Sequence, residues 1–262
     1  MQTEAVINHI VNWIKSYAEN AKIGGFVIGI SGGIDSAVTS TLCAQTGLKL
    51  LCLEMPIHQH PTQVTLAQKH ITWLKENHPN VSSLTTNLTP VFDQLVAAVP
   101  KVDDQPQRMM ALANTRARLR MTTLYYFAAI HHYLVAGTGN KIEDFGVGFY
   151  TKYGDGGVDI SPIADLTKSE VYALAHTMGI DQEIQNAAPT DGLWGDERND
   201  EDQIGASYPE LEWAMSMSEQ GKKATDFIDR EQEVFEIYTK LNRANQHKMV
   251  PIPVCKIPHE LR

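Results

Sequence analysis

Residues 48–55 read LKLLCLEM, and a run so continuously apolar leaves few folds open. A strand with one face in water alternates apolar and polar residues. A strand covered on both faces need not, so this run belongs in a buried parallel sheet. Shorter runs of the same kind occupy 25–30 (GFVIGI) and 133–137 (YLVAG), with a weaker strand at 81–87 (VSSLTTN). Helical segments alternate with them: 35–45 ended by Gly47, 61–77 with proline at its start, and a long one over about 105–132. Residues 3–20 add an amphipathic helix, with Val6, Ile7, Ile10, Val11, Ile14 and Tyr17 at helical spacing. This order predicts an α/β fold, a doubly wound, mainly parallel sheet with helices on both faces. Such sheets take ligands at the carboxyl ends of their strands.

Beyond residue 145 the pattern loosens into a glycine-rich stretch, FGVGFYTKYGDGGVDISPIADL, before a helix at 167–178 that Thr167 and Glu170 mark with a capping box. Residues 187–206 are polar, acidic and without a structural signal, which predicts a mobile loop or lid near 190–206, with Gly192, Gly195 and Gly205 as flex points. Two further helices are expected near 208–217 and 224–243. Neither a repeat nor a linker appears, so residues 1–262 are taken as one domain. Composition is ordinary for a globular chain, 43% hydrophobic and 20% charged. A net charge of -9 argues against nonspecific nucleic-acid binding, which depends on basic residues. Cys43, Cys52 and Cys255 lack zinc or disulfide spacing, which suits a reducing, cytoplasmic setting, and no run is long enough to span a bilayer.

Residues 29–36, GISGGIDS, sit at the predicted junction of strand and helix. Gly32 and Gly33 let the backbone turn its N–H groups inward, and the following helix adds its positive end, so an anion is favoured there. The common nucleotide loop ends in a lysine followed by Ser or Thr. Here Asp35 and Ser36 stand in that neighbourhood, and an aspartate serves phosphate only by holding a divalent cation such as Mg²⁺.

SGGIDS resembles the pyrophosphate-binding loop of the N-type ATP pyrophosphatases, whose fold is Rossmann-like and of the adenine nucleotide alpha hydrolase type. The segments ANTRARLRM (113–121), GTGNKIE (137–143), GFYTKYGDGGVDISPIADLTK (148–168), PTDGLW (189–194) and QHKM (246–249) are similar, in order, to the signatures of the ammonia-dependent NAD synthetases. The resemblance runs from about residue 5 to 250. It implies amidation of deamido-NAD with ammonia and ATP to NAD, AMP and pyrophosphate through an adenylate, by a homodimer. It further implies that Gly29, Ile30, Ser31, Gly32, Gly33, Ile34, Asp35 and Ser36, with Thr138, Lys168 and Thr190, contact ATP, and that Asp35 and Glu143 ligate Mg²⁺. Arg118, Lys152, Asp159, His247 and Lys248 match positions that hold deamido-NAD. Asn140 departs from the pattern, since some relatives carry an Asp-His pair at 139–140.

The chemistry has its own demands. A carboxylate becomes an amide only after it gains a leaving group, and adenylation supplies one while charge grows on the departing pyrophosphate. Two acidic residues and a lysine near the loop answer that need. A version that uses glutamine requires an additional amidase domain, and the match consumes the chain, so free ammonia is the expected nitrogen source. Lys168 falls in the first turn of its helix, the wrong end for a cation, which favours a phosphate partner that would offset it. Bland readings stand beside these: Arg116, Arg118 and Arg120 cannot all face one way, Tyr125, Tyr126 and Phe127 suit core packing, and the acidic run 196–202 suits solvent. A tRNA-modifying relative would need a basic surface or catalytic cysteines. A nucleotide sensor would bind ATP without releasing pyrophosphate.

Overall fold

In the computed structural model, which describes residues 1–59, 61–187 and 200–262, the apolar runs form a sheet around which the helices pack in sequence order. Helix α1 (Thr3–Asn20) leads into strand β1 (Gly25–Gly29), then α2 (Ile34–Gln45), β2 (Lys49–Glu54), α3 (Pro61–Asn77) and β3 (Val81–Thr85). Next come α4 (Thr89–Ala98), α5 (Gln105–His131) and the short β4 (Leu134–Val135). A π-helical turn over Ile142–Val147 precedes α6 (Lys168–Thr177) and α7 (Gln182–Asn186). Then α8 (Asp200–Ile204), α9 (Tyr208–Glu219) and α10 (Asp229–Met249) follow. Among the described residues the sheet has four strands in the order β3-β2-β1-β4, every pair parallel.

The run at 48–55 is covered on both faces, as its composition requires. Leu50 and Cys52 face a cluster built by α1, α2, α3 and α6, with Ile14, Leu42, Leu74 and Leu174 fully buried. Leu51 and Leu53 face the other side, against Phe92 of α4 and Ala128 of α5. Burying a side chain of this size contributes roughly 1.5–3 kcal/mol, so alternation along β2 is replaced by two apolar faces. A third cluster, formed by the π turn, α9 and α10 around Leu211, Phe235 and Tyr238, sits beyond the β4 edge.

Helix α4 was not expected and α10 runs later than the expected 224–243, and two further differences bear on the site. Residues 187–206 are not uniformly without structure: Asp200–Ile204 is helical, and Ile204 and Ala206 are buried against the third cluster. An acidic composition hid it, because the helix gains its stability from tertiary packing and not from propensity. Residues 190–199 of the expected lid, with Gly192 and Gly195, lie outside the described residues, while Gly205 ends α8 with φ +87°. The second difference is the π turn itself, which a periodicity search for helices and strands passes over.

Candidate active site

β1 ends at Gly29, and the chain then makes the tight turn of residues 30–33 before α2 begins. Gly32 has φ +87°, which an L side chain adopts only with strain. Two serines stitch the turn shut. Ser31 N donates to Ser36 Oγ at 3.3 Å, Gly33 N donates to Ser31 Oγ at 3.1 Å, and Ser36 Oγ donates to Gly33 O at 2.9 Å. The loop is therefore shaped before any ligand arrives, with the N-terminus of α2 behind it, where an anion gains from the helix dipole.

Asp35 lies in the first turn of α2. Glu143 comes from the far side of the sheet's switch point, on the π turn after β4. Asn140 joins them. Its side chain is wholly buried, its Oδ1 accepts from the backbone N–H groups of Ile142 and Glu143 at 3.1 Å each, and its Nδ2 donates to Asp35 Oδ1 at 3.2 Å. Asn140 thus holds the start of the π turn and ties the backbone at Glu143 to the Asp35 carboxylate.

Lys168 sits between those carboxylates. It is 3% exposed, its Nζ donates to Asp35 Oδ2 at 2.5 Å and to Glu143 Oε1 at 3.1 Å, and it lies 4.7 Å above the ring of Tyr208. Tyr208 OH donates to the same Glu143 oxygen at 2.6 Å. The predicted capping box is present, Glu170 N donating to Thr167 Oγ1 and Thr167 N to Glu170 Oε2, and it fixes where α6 starts and so where Lys168 projects. The anion that offsets a cation at this helix start is the Asp35–Glu143 pair.

The charges follow from this geometry. Burial alone would lower the Lys168 ammonium, but Asp35 and Glu143 hold it above its ordinary range. Burial raises the Asp35 carboxyl more than Lys168 lowers it, whereas for Glu143 the ammonium and the Tyr208, Asn140 and Lys168 hydrogen bonds outweigh burial, and its carboxyl lies below the usual range. Among the further carboxylates that line the same cavity are Asp144 and Asp155. Burial, followed by the neighbouring Glu143, Asp155 and Asp35, pushes Asp144 up to about 7. Burial likewise raises Asp155 to about 6.

The cavity opens at the carboxyl ends of β1, β2 and β4 and is lined by Gly29, Ile30, Ser31, Gly33, Ile34, Asp35, Ser36, Thr138, Glu143 and Lys168, among others. The residues expected at ATP therefore converge, except Thr190, which lies outside the described residues. Those expected at deamido-NAD form a separate group beside the cavity. Arg118 donates to Lys152 O at 3.3 and 3.4 Å, Lys152 Nζ donates to His247 O at 2.5 Å, and Lys248 Nζ donates to Gly148 O and Tyr150 O at 2.8 Å. Asp159 accepts from Tyr125 OH at 3.0 Å and from Val135 N at 2.8 Å, so its two oxygens brace β4 against α5. Arg120, which sequence reasoning left among three alternatives, lines the cavity and donates to Met55 O and Gln59 Oε1. Tyr208 was missed. The capping box at Ser207 and Glu210 marks it as a first-turn residue, and no local signal shows what it touches.

A family model described as NAD synthase matches residues 6–251. The chain belongs to the NAD synthase family. An NH(3)-dependent NAD(+) synthetase of Carboxydothermus hydrogenoformans is 37% identical over 240 residues, which cover 91% of this chain and 92% of that protein. Among solved structures, an NMN synthetase from Francisella tularensis superposes with a TM-score of 0.82 at 29% identity, covering 99% of both chains. An NH3-dependent NAD synthetase from Campylobacter jejuni superposes with a TM-score of 0.78 at 25% identity, covering 98% of this chain and all of that one. In this NAD synthase the serine-stitched loop lies beside Asp35, Glu143 and Lys168 in one cavity at the strand ends.

Proposed function

We propose that this NAD synthase forms NAD from deamido-NAD, ATP and ammonia, releasing AMP and pyrophosphate. The observation that carries the reading is the convergence of the glycine loop, Asp35 and Glu143 in one cavity. Its match to NH(3)-dependent relatives over nearly their whole length supports ammonia as the nitrogen source. The substrate carboxylate attacks the α-phosphorus of ATP, the bond to the β-phosphate bridging oxygen breaks, and pyrophosphate leaves. Ammonia then attacks the acyl adenylate and AMP leaves. The loop N–H groups and the start of α2 receive charge on the departing pyrophosphate, and Lys168 is a side-chain cation in the same cavity. Arg118, Lys152, Asp159, His247 and Lys248 are assigned to the dinucleotide, Thr138 and Thr190 to ATP.

The donor set also suits Mg²⁺. Asp35 and Glu143 offer hard carboxylate oxygens facing the loop, and among the described residues no group of three or more His, Cys, Asp or Glu side chains could hold a metal. Mg²⁺ is commonly held by one or two carboxylates with substrate phosphates and water completing its shell, so a two-carboxylate site matches it better than an all-protein cage would. When bound, the ion would neutralise charge on the phosphates. We assign the enzyme to the cytoplasm, in keeping with the buried free thiols of Cys43 and Cys52 and with described helices too short or too polar to cross a membrane. We further propose a homodimer that pairs through α5.

A second reading of the acid substrate has one observation in its favour, the superposition on an NMN synthetase. In that reading the mononucleotide acid takes the place of the dinucleotide acid. One assay tests all of this: pyrophosphate release from ATP with ammonium chloride, and either the dinucleotide or the mononucleotide acid, against glutamine as sole nitrogen donor. The dinucleotide acid is expected to give the higher kcat/KM, with negligible turnover on glutamine. Asp35→Ala is expected to lower kcat/KM at least about 100-fold with its circular dichroism unchanged. Preference for the mononucleotide acid favours the second reading, and release that needs neither acid refutes both.

A further inference from the structure

The place of Lys168 is not that of a lysine waiting beside a phosphate. Its ammonium bonds two carboxylates from opposite sides of the strand-end crevice at once, at 2.5 Å from one and 3.1 Å from the other. Those are the oxygens a bridging cation would use. Ligands on one Mg²⁺ stand at about 2.0–2.1 Å from it, so ion and ammonium would overlap if both tried to hold these oxygens. The surroundings also confine the ammonium. Tyr208 lies under it, and its phenol donates to the Glu143 oxygen that Lys168 also uses. A buried cation leaves such a cage only toward another anion, because stranding it unpaired is costly. The glycine loop is where that anion arrives, and Asp35 belongs to the same loop. The long lysine stem can carry Nζ from one to the other.

We infer that Lys168 and the divalent cation occupy the same position in turn: Lys168 fills the cage between Asp35 and Glu143 until nucleotide phosphate draws its ammonium away, and the metal enters with the nucleotide and not before it. This rests on the assignment of Asp35 and Glu143 to the metal made above. Binding of nucleotide and metal is then positively coupled through one side chain, and the coupling is reciprocal. A lysine whose duty is only to hold phosphate makes no such demand on metal binding.

The test is Mn²⁺ binding to the full-length protein without nucleotide, followed by the electron paramagnetic resonance signal of the free ion. Wild type is expected to bind Mn²⁺ weakly at this site. Lys168→Met, which removes the competing charge, is expected to bind one ion about tenfold or more tightly than wild type while losing activity. Lys168→Arg keeps a cation and should bind no better than wild type, and Asp35→Asn added to Lys168→Met should abolish the gain. Should Lys168→Met prove unstable, Lys168→Gln carries the same prediction, and a Tm that rises with Mn²⁺ in the variant but not in wild type supports it. Equal Mn²⁺ affinity in wild type and both neutral variants overturns the inference. The metal assignment fails separately, if Asp35→Asn leaves the Mg²⁺ dependence of pyrophosphate release in otherwise wild-type enzyme unaltered.

Discussion

His70 shows what burial does to a single residue here. It is 2% exposed between α2 and α3, its Nε2 is 2.9 Å from Ser40 Oγ, and its ring stacks on Trp73. Burial lowers its pKa to about 4, so it is neutral in the folded protein while the unfolded chain titrates near the ordinary value of 6.5. A lowered pKa means that folding stability is full above about pH 6.5 and falls as the unfolded state takes up the proton, until the folded residue also titrates. The loss amounts to about 3 kcal/mol between pH 6.5 and 4. Urea unfolding across that range is expected to show a shallower fall in His70→Gln than in wild type, and identical slopes would refute it. The neutral His70 was not legible in the sequence, since QKHITW carries no sign of which residue faces α2. Asn140 is a similar case: nothing in GTGNKIE shows its double duty to the π turn and Asp35.

At the level of elements, the π turn decides where Glu143 stands. The last helix clamps it from outside. Asn242 Nδ2 donates to Gly146 O at 2.7 Å, Asn245 Nδ2 to Val147 O at 2.8 Å, and Lys248 Nζ to Gly148 O at 2.8 Å, so α10 supplies donors to carbonyls that a turn's end leaves unpaired. Gly148 sits at the contact with φ +66°, where an added Cβ would come within 2.3 Å of Asn245 Cβ. Gly148→Ala is therefore expected to destabilise the protein by roughly 2–4 kcal/mol through backbone strain and overpacking, and to lower activity by displacing Glu143. Equilibrium urea denaturation measures the first effect, and a cost within about 0.5 kcal/mol would count against the clamp. Elements whose signals are local were legible: α3 matches its expected bounds, α5 does so within a residue, and the Thr167–Glu170 box starts α6. The short α8 was not, because DEDQI carries no apolar period and is held by what it packs on, and α4 was not expected although Val91, Phe92, Leu95 and Val96 recur at helical spacing.

For the molecule as a whole, the apolar residues left exposed are the basis for placing the proposed dimer contact on α5. The fold buries Ile7, Ile10 and Ile14 of α1 in the main cluster, whereas α5 keeps Met110, Tyr126 and Ile130 at half exposure or more. Light scattering is expected to give about twice the chain mass for wild type and the monomer mass for Tyr126→Glu with Ile130→Glu. A wild-type monomer removes the dimer, and a double variant that stays dimeric moves the interface elsewhere. The parallel sheet, its two covered faces, the glycine turn and the family were all determined by the sequence, because each is written in neighbouring residues: apolar periodicity, glycine at a left-handed turn, motifs in fixed order. The meeting of Asp35, Glu143, Lys168 and Tyr208 was decided only by the tertiary structure. These four come from separate elements, and Lys168 lies 133 residues from Asp35. A polar cage of this kind has no local period, and only the packing of the elements brings its charges close enough to need one another.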